Sequence, residues 1–209
     1  MRLAAGYGHL VTGPPRPRRS LKVVGAVWIL SLIQLSFAGS ASATWTVESS
    51  GTSNYLMGIS CPSTSTCFAV GDAGTIRKTT NGGSTWSSQS SGTSNSLMGV
   101  SCPTTSSCVS VGVSGTIVAT TNSGSTWSSQ SSGTSDDLRG VTCPSLLSCF
   151  AVGGFPAGKI LATTNGGSTW SSQGSGTLSV LYDVSCPTTA TCFAVGVSGA
   201  ILATTNAGS

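Results

Sequence analysis

Beyond residue 44 the chain alternates between short apolar runs and Ser/Thr/Gly clusters. Leu56–Cys61 reads L-M-G-I-S-C, Cys67–Val70 reads C-F-A-V and Thr75–Thr80 reads T-I-R-K-T-T. Runs of four to six residues bounded by Gly, Pro and Asn predict β-strands, and no window shows the three-to-four-residue periodicity of an amphipathic helix. A turn follows the third run, Thr79–Trp86, T-T-N-G-G-S-T-W. Asn and Gly tolerate positive φ, so this stretch predicts a hairpin whose return strand opens at the Trp. It recurs as T-T-N-S-G-S-T-W at Thr120–Trp127 and as T-T-N-G-G-S-T-W at Thr163–Trp170, and a fourth copy begins at Thr204.

The repeat sets the architecture. Trp45, Trp86, Trp127 and Trp170 are 41, 41 and 43 residues apart, and four cysteine pairs share those intervals. The two extra residues fall in Gly153–Gly158, a Gly/Pro-rich stretch that replaces the shorter Gly71–Gly74. Each unit resolves into four short strands. Four antiparallel strands in about 41 residues, repeated, predict blades of a β-propeller; a solenoid is the competing arrangement, with fewer strands per repeat. The fold class expected is therefore all-β: four four-stranded repeats forming a closed four-bladed ring or an open partial propeller. Joining Asn206-Ala207-Gly208-Ser209 to Thr44-Trp45 spells N-A-G-S-T-W. Closure is the favoured form, with Trp45–Thr52 supplying the outer strand of the last blade and covering its open edge.

The 43 residues before this region read differently. Arg16, Arg18, Arg19 and Lys22 precede the uncharged run Val23–Phe37, and Ala41-Ser42-Ala43 supplies small residues at a cleavage site. This is the layout of a secretory signal peptide cut after Ala43, leaving 44–209 as the repeat domain; an uncleaved leader would instead be a membrane anchor. The leader also carries most of the positive charge. The formal net charge is +4, yet residues 44–209 hold four bases and five acids, a net charge of −1. No basic surface for nucleic acid is expected.

Eight cysteines in a secreted chain predict disulfides. The repeat makes pairing within each unit the simplest of the possibilities: Cys61 with Cys67, Cys102 with Cys108, Cys143 with Cys149 and Cys186 with Cys192. Five intervening residues do not suit a metal site, and the single histidine, His9, lies in the leader. No metal or cofactor is expected.

The turn resembles the Asp-box, or bacterial neuraminidase repeat. Its structural positions here are Asn81, Gly83 and Trp86; Asn122, Gly124 and Trp127; Asn165, Gly167 and Trp170. Asn stands where that motif has Asp, and it can make the same side-chain bonds to the turn backbone. The longer unit, A-V-G-x-x-G-x-I-x-x-T-T-N-G-G-S-T-W, resembles the propeller family of photosystem II assembly and stability factors and its non-photosynthetic bacterial relatives, over nearly all of residues 45–209. The resemblance implies a propeller with a binding or assembly role.

Catalysis has little to work with. Without a histidine after Ala43, Ser-His-Asp and Cys-His sites are excluded there. A sialidase-like centre needs three arginines, and this region has Arg77 and Arg139 alone. Asp136 and Asp137 are adjacent, so in an extended stretch they point apart. The expected function is a secreted, non-enzymatic scaffold for a protein or carbohydrate partner, with membrane contact only through an uncleaved leader. The alternatives are an Asp-box glycoside hydrolase using Asp136, Asp137 or Asp183, and a truncated blade array without independent function. Positions that differ between units mark the candidate binding face. They are Tyr55, Met57, Asp136, Asp137, Arg139 and Tyr182 around the first strand of each unit, and Arg77 and Lys78 on a third strand.

Overall fold

The computed structural model describes residues 44–208. The leader, and the cleavage expected after Ala43, lie outside them. Fifteen strands form four antiparallel sheets. The first sheet holds β1 (Leu56–Ser60), β2 (Cys67–Gly71), β3 (Ile76–Thr79) and β4 (Ser87–Gln89), hydrogen-bonded in that order. The second repeats it with β5 (Leu97–Ser101), β6 (Cys108–Gly112), β7 (Ile117–Thr120) and β8 (Ser128–Gln130), and the third with β9 (Leu138–Thr142), β10 (Cys149–Gly153), β11 (Lys159–Thr163) and β12 (Ser171–Gln173). The fourth has three strands, β13 (Leu181–Ser185), β14 (Cys192–Gly196) and β15 (Ile201–Thr204). These are the predicted blades, and they stack in sequence, β1 on β5, β5 on β9 and β9 on β13.

Each disulfide pairs cysteines within one unit, with Cα atoms 4.0–4.1 Å apart across the bend between the first and second strands. Among the described residues no cysteine is free.

The core lies between sheets rather than within any one. Phe68, Val70 and Ile76 of the first sheet pack on Leu97, Val100 and Trp127 of the second, with the Phe68 and Trp127 rings edge to face at 6.1 Å. Equivalent clusters form at the next two junctions. A middle blade is therefore covered on both faces. All five residues of β6 and of β10 are buried, whereas β14, identical in sequence to β10, alternates buried and exposed. Place in the row sets burial here, because the side chains are the same.

Two sequence expectations are corrected by this geometry. Trp45–Thr52 forms no strand and does not complete the last sheet; Trp45 and Val47 are fully exposed. The fourth inner strand also has no packing on the first to match the three internal junctions. The four blades form an open row.

The repeated turn is organised by a residue the sequence pattern did not single out. Thr120 Oγ1 accepts the N–H groups of Gly124 at 3.0 Å and Asn122 at 3.3 Å, and donates to Asn122 Oδ1 at 3.0 Å. Asn122 Oδ1 also accepts the Thr126 N–H at 2.9 Å. Thr79 and Thr163 do the same in their units. The amide oxygen thus does what a carboxylate would do, so Asn for Asp is structurally mild. Positive φ falls on Gly82 and Gly83, and on Ser123 and Gly124, not on the Asn. Thr120 is 3% exposed, so its lost partners would not be replaced by water. Thr120→Val is expected to destabilise the protein by about 1–3 kcal/mol, checked by urea denaturation, with Thr120→Ser close to the parent.

Candidate binding surface on the inner strands

The first strands β1, β5, β9 and β13 lie side by side because three glycines let them. A Cβ built at Gly58 would sit 3.0 Å from the Met98 carbonyl oxygen, one at Gly99 2.9 Å from that of Arg139, and one at Gly140 2.7 Å from Asp183 Cα. Side chains at these positions would force the blades apart. Serines tie the same strands: Ser60 Oγ accepts the Cys102 N–H at 3.1 Å and Ser101 Oγ that of Cys143 at 3.0 Å.

Just before each of these positions the pairing with the second strand slips by one residue, a β-bulge. The extra residues are Met57, Met98, Arg139 and Tyr182. A bulge re-aims its side chain, and here the four line one shallow depression together with Asp183. The Arg139 guanidinium stands 5.3 Å from the Tyr182 ring centroid, a cation–π pair, and Nη2 is 3.9 Å from Asp137 Oδ2. Met57 and Tyr182 are about half exposed. The surface thus offers two thioethers, a ring face and one guanidinium on a rigid frame.

Of the sequence candidates, Met57, Arg139 and Tyr182 are brought together, and Met98 and Asp183 join them. Met98 could have been found from the repeat, since it occupies the Met57 position of the second unit. Tyr55 is exposed on the loop before β1, and its carbonyl accepts the Asp72 N–H at 3.0 Å. Asp136 pairs with Lys159 at 3.4 Å and accepts from Thr134 Oγ1 at 2.9 Å. Asp137 instead accepts the Ser114 N–H at 3.0 Å, so the two carboxylates do turn to different partners.

Arg77 and Lys78 lie elsewhere. Arg77 Nη2 donates to the Trp86 carbonyl at 2.8 Å. Lys78 Nζ donates to the Ser123 carbonyl at 2.7 Å and stands 5.6 Å from the Phe68 ring centroid. Both brace the outer strands of the first sheet, and Lys78 ties that sheet to the second. Among the described residues no group of three or more His, Cys, Asp or Glu side chains gathers as a metal site would.

Antiparallel blades whose third and fourth strands are joined by the Thr-Asn-x-Gly turn, stacked through their faces with their first strands innermost, define a propeller of the neuraminidase-repeat type. Within that class the chain belongs to the family of the photosynthesis system II assembly factor YCF48, whose model matches residues 38–208. Among solved structures, YCF48 bound to D1 peptide matches with 19% identity and a TM-score of 0.58, over 70% of this chain and 48% of that one. YCF48 from Cyanidioschyzon merolae matches with 20% identity and a TM-score of 0.58, over 72% of this chain and 53% of that one. An ancestral GH74 enzyme matches with 17% identity and a TM-score of 0.60, over 80% of this chain and 25% of its own. No curated protein matches the chain. The chain spans about half the length of the YCF48 structures it resembles.

Proposed function

We propose that this protein is a secreted, non-enzymatic scaffold that holds an extended segment of a protein partner against its inner strands. The observation that carries the reading is the bulge row. The frame around it repeats from blade to blade, while the bulge residue changes along the row from Met57 and Met98 to Arg139 and Tyr182. Such a row suits a polypeptide laid across several blades, read by apolar, aromatic and anionic side chains in turn. The YCF48 structure bound to D1 peptide supports a polypeptide over a carbohydrate as the occupant. Four disulfides, three of them between buried cysteines, suit an oxidising compartment reached through the leader.

The resemblance to GH74 enzymes favours a second reading, a glycoside hydrolase acting through Asp136, Asp137 or Asp183. The two part cleanly in experiment. Peptides selected from a phage-displayed library on the purified protein are expected to lose affinity about tenfold or more with Arg139→Ala and with Tyr182→Ala, as for anchor residues at an interface, and to be indifferent to Asp136→Asn. Release of chromophore from a panel of aryl glycosides, abolished by Asp136→Asn or Asp137→Asn, would instead establish the hydrolase.

A further inference from the structure

Lys78 stands where the later units have Ala119, Ala162 and Ala203. On the first sheet it lies opposite Phe68, so the two side chains share a face. The Lys78 stem crosses to the second sheet, where Nζ donates to the Ser123 carbonyl at 2.7 Å and stands 5.6 Å from the Phe68 ring centroid. The second sheet carries Val109 opposite Ala119 at the same two places. A ring and an aminobutyl chain are thus both cut short at the junction of the second and third sheets. A pocket opens there, lined by Val109, Ala119, Gln130, Leu146, Leu147 and Gly166 among others, with no charged side chain in its wall.

The frame around that place is otherwise kept. Gly166 is the repeat equivalent of Ser123. Its N–H donates to the Leu147 carbonyl at 2.9 Å, as the Ser123 N–H donates to that of Ser106 at 2.9 Å. The Gly166 carbonyl therefore stands where Lys78 finds its acceptor one blade earlier. It accepts Gln130 Nε2 at 3.4 Å, a long bond, and a carbonyl oxygen has a second lone pair.

The rim has changed in the direction an incoming apolar stem needs. Leu146 and Leu147 occupy the positions of Thr64 and Ser65, Thr105 and Ser106, and Thr189 and Ala190 in the other units. They are 55% and 60% exposed. Two leucines in an otherwise polar turn, beside a pocket emptied of its own filling, give a methylene chain a surface to lie on.

We propose that this pocket takes the lysine side chain of a polypeptide partner, its stem against Val109, Ala119 and the two leucines and its ammonium on the Gly166 carbonyl. The protein supplies the template, since Lys78 makes the same arrangement at the first junction. A compact ammonium suits a single carbonyl acceptor, whereas the planar fork of an arginine suits a carboxylate. Residues 44–209 carry a net charge of −1, so a basic partner meets no general repulsion. The pocket shares no lining residue with the depression on the inner strands, so its test stands apart from that of the bulge row.

The full chain, expressed with its leader into an oxidising compartment, is titrated with N-acetyl-lysine N-methylamide and followed by NMR. Saturable shifts are expected at the Leu146 and Leu147 methyls and at the Gly166 amide. N-acetyl-norleucine N-methylamide keeps the stem and lacks the ammonium, and is expected to bind about tenfold or more weaker. Ala119→Lys rebuilds the internal occupant and is expected to abolish the shifts. Leu147→Ser restores the residue of the second unit at an exposed site and is expected to weaken binding about threefold or more. Absence of saturable shifts at these positions overturns the proposal. Equal affinity for the norleucine probe also overturns it, since the pocket would then be an apolar surface alone. Undiminished binding by folded Ala119→Lys or by Leu147→Ser does the same. Tighter binding of n-butylamine than of the capped lysine would mark a site for free amines and overturns the polypeptide source.

Discussion

Gly115→Ala is expected to lower stability by about 3 kcal/mol or more, while Gly133→Ala lowers it by only about 1 kcal/mol. Both glycines have left-handed backbone, φ +67° and +71°. Each substitution therefore carries the same conformational cost, about 1–2 kcal/mol for an L-residue in that region. They differ in what the new methyl group meets. At Gly115 a Cβ overlaps the Thr134 carbonyl oxygen and lies 2.8 Å from Ser132 Oγ and 2.9 Å from the Thr134 carbonyl carbon. This is backbone of the linker into the third blade, held in place by the Ser132 and Thr134 bonds at 3.1 and 3.3 Å, so it cannot swing aside as a side chain would. At Gly133 nothing lies within 4 Å. Urea denaturation without reductant measures the difference, and hydrogen exchange should show early opening of β6 and β7 in the Gly115 variant. Equal losses at the two positions would mean that the linker does not hold the second and third blades together.

Leu138→Ala is the second large effect, about 2–5 kcal/mol, because it empties the centre of the junction between the second and third sheets. Leu138 is completely buried in a cluster with Val109, Val111, Ile117 and Leu161, and each sheet is too thin to have another core. Leu178→Ala removes the same atoms from a position that is 82% exposed and should change stability by no more than about 0.5 kcal/mol. In a stacked array one weakened junction separates cooperative units, so the denaturation curve of Leu138→Ala is expected to split into two steps. A single parallel shift would show that the blades unfold together despite the lost contact.

The blade was legible in the sequence because its signals are local. Strand runs, Gly-Pro punctuation and the cysteine pairs all act within about forty residues, and the repeat printed each of them four times. The role of Thr79, Thr120 and Thr163 was hidden because a Thr at a strand end reads as β-propensity; only the turn reveals its hydroxyl as the hub. Arg77 and Lys78 stood out as variable, yet variability alone does not separate a partner contact from a brace between sheets. The state of the two ends was beyond any local rule. Cys-Phe-Ala-Val-Gly occurs as β2, β10 and β14, and only the neighbouring sheet decides whether its phenylalanine is buried, as at Phe68 and Phe150, or open, as at Phe193.

The sulfur bridges have a mechanical consequence. Each spans six positions of sequence while holding its Cα atoms about 4 Å apart. Under tension from both ends, an extended chain gains roughly 3.4 Å per residue, so every bridge withholds about 16 Å of contour. A blade torn out of the row would lengthen the tether by less than its residue count allows, and thiol reductant would restore the missing reach in four equal increments.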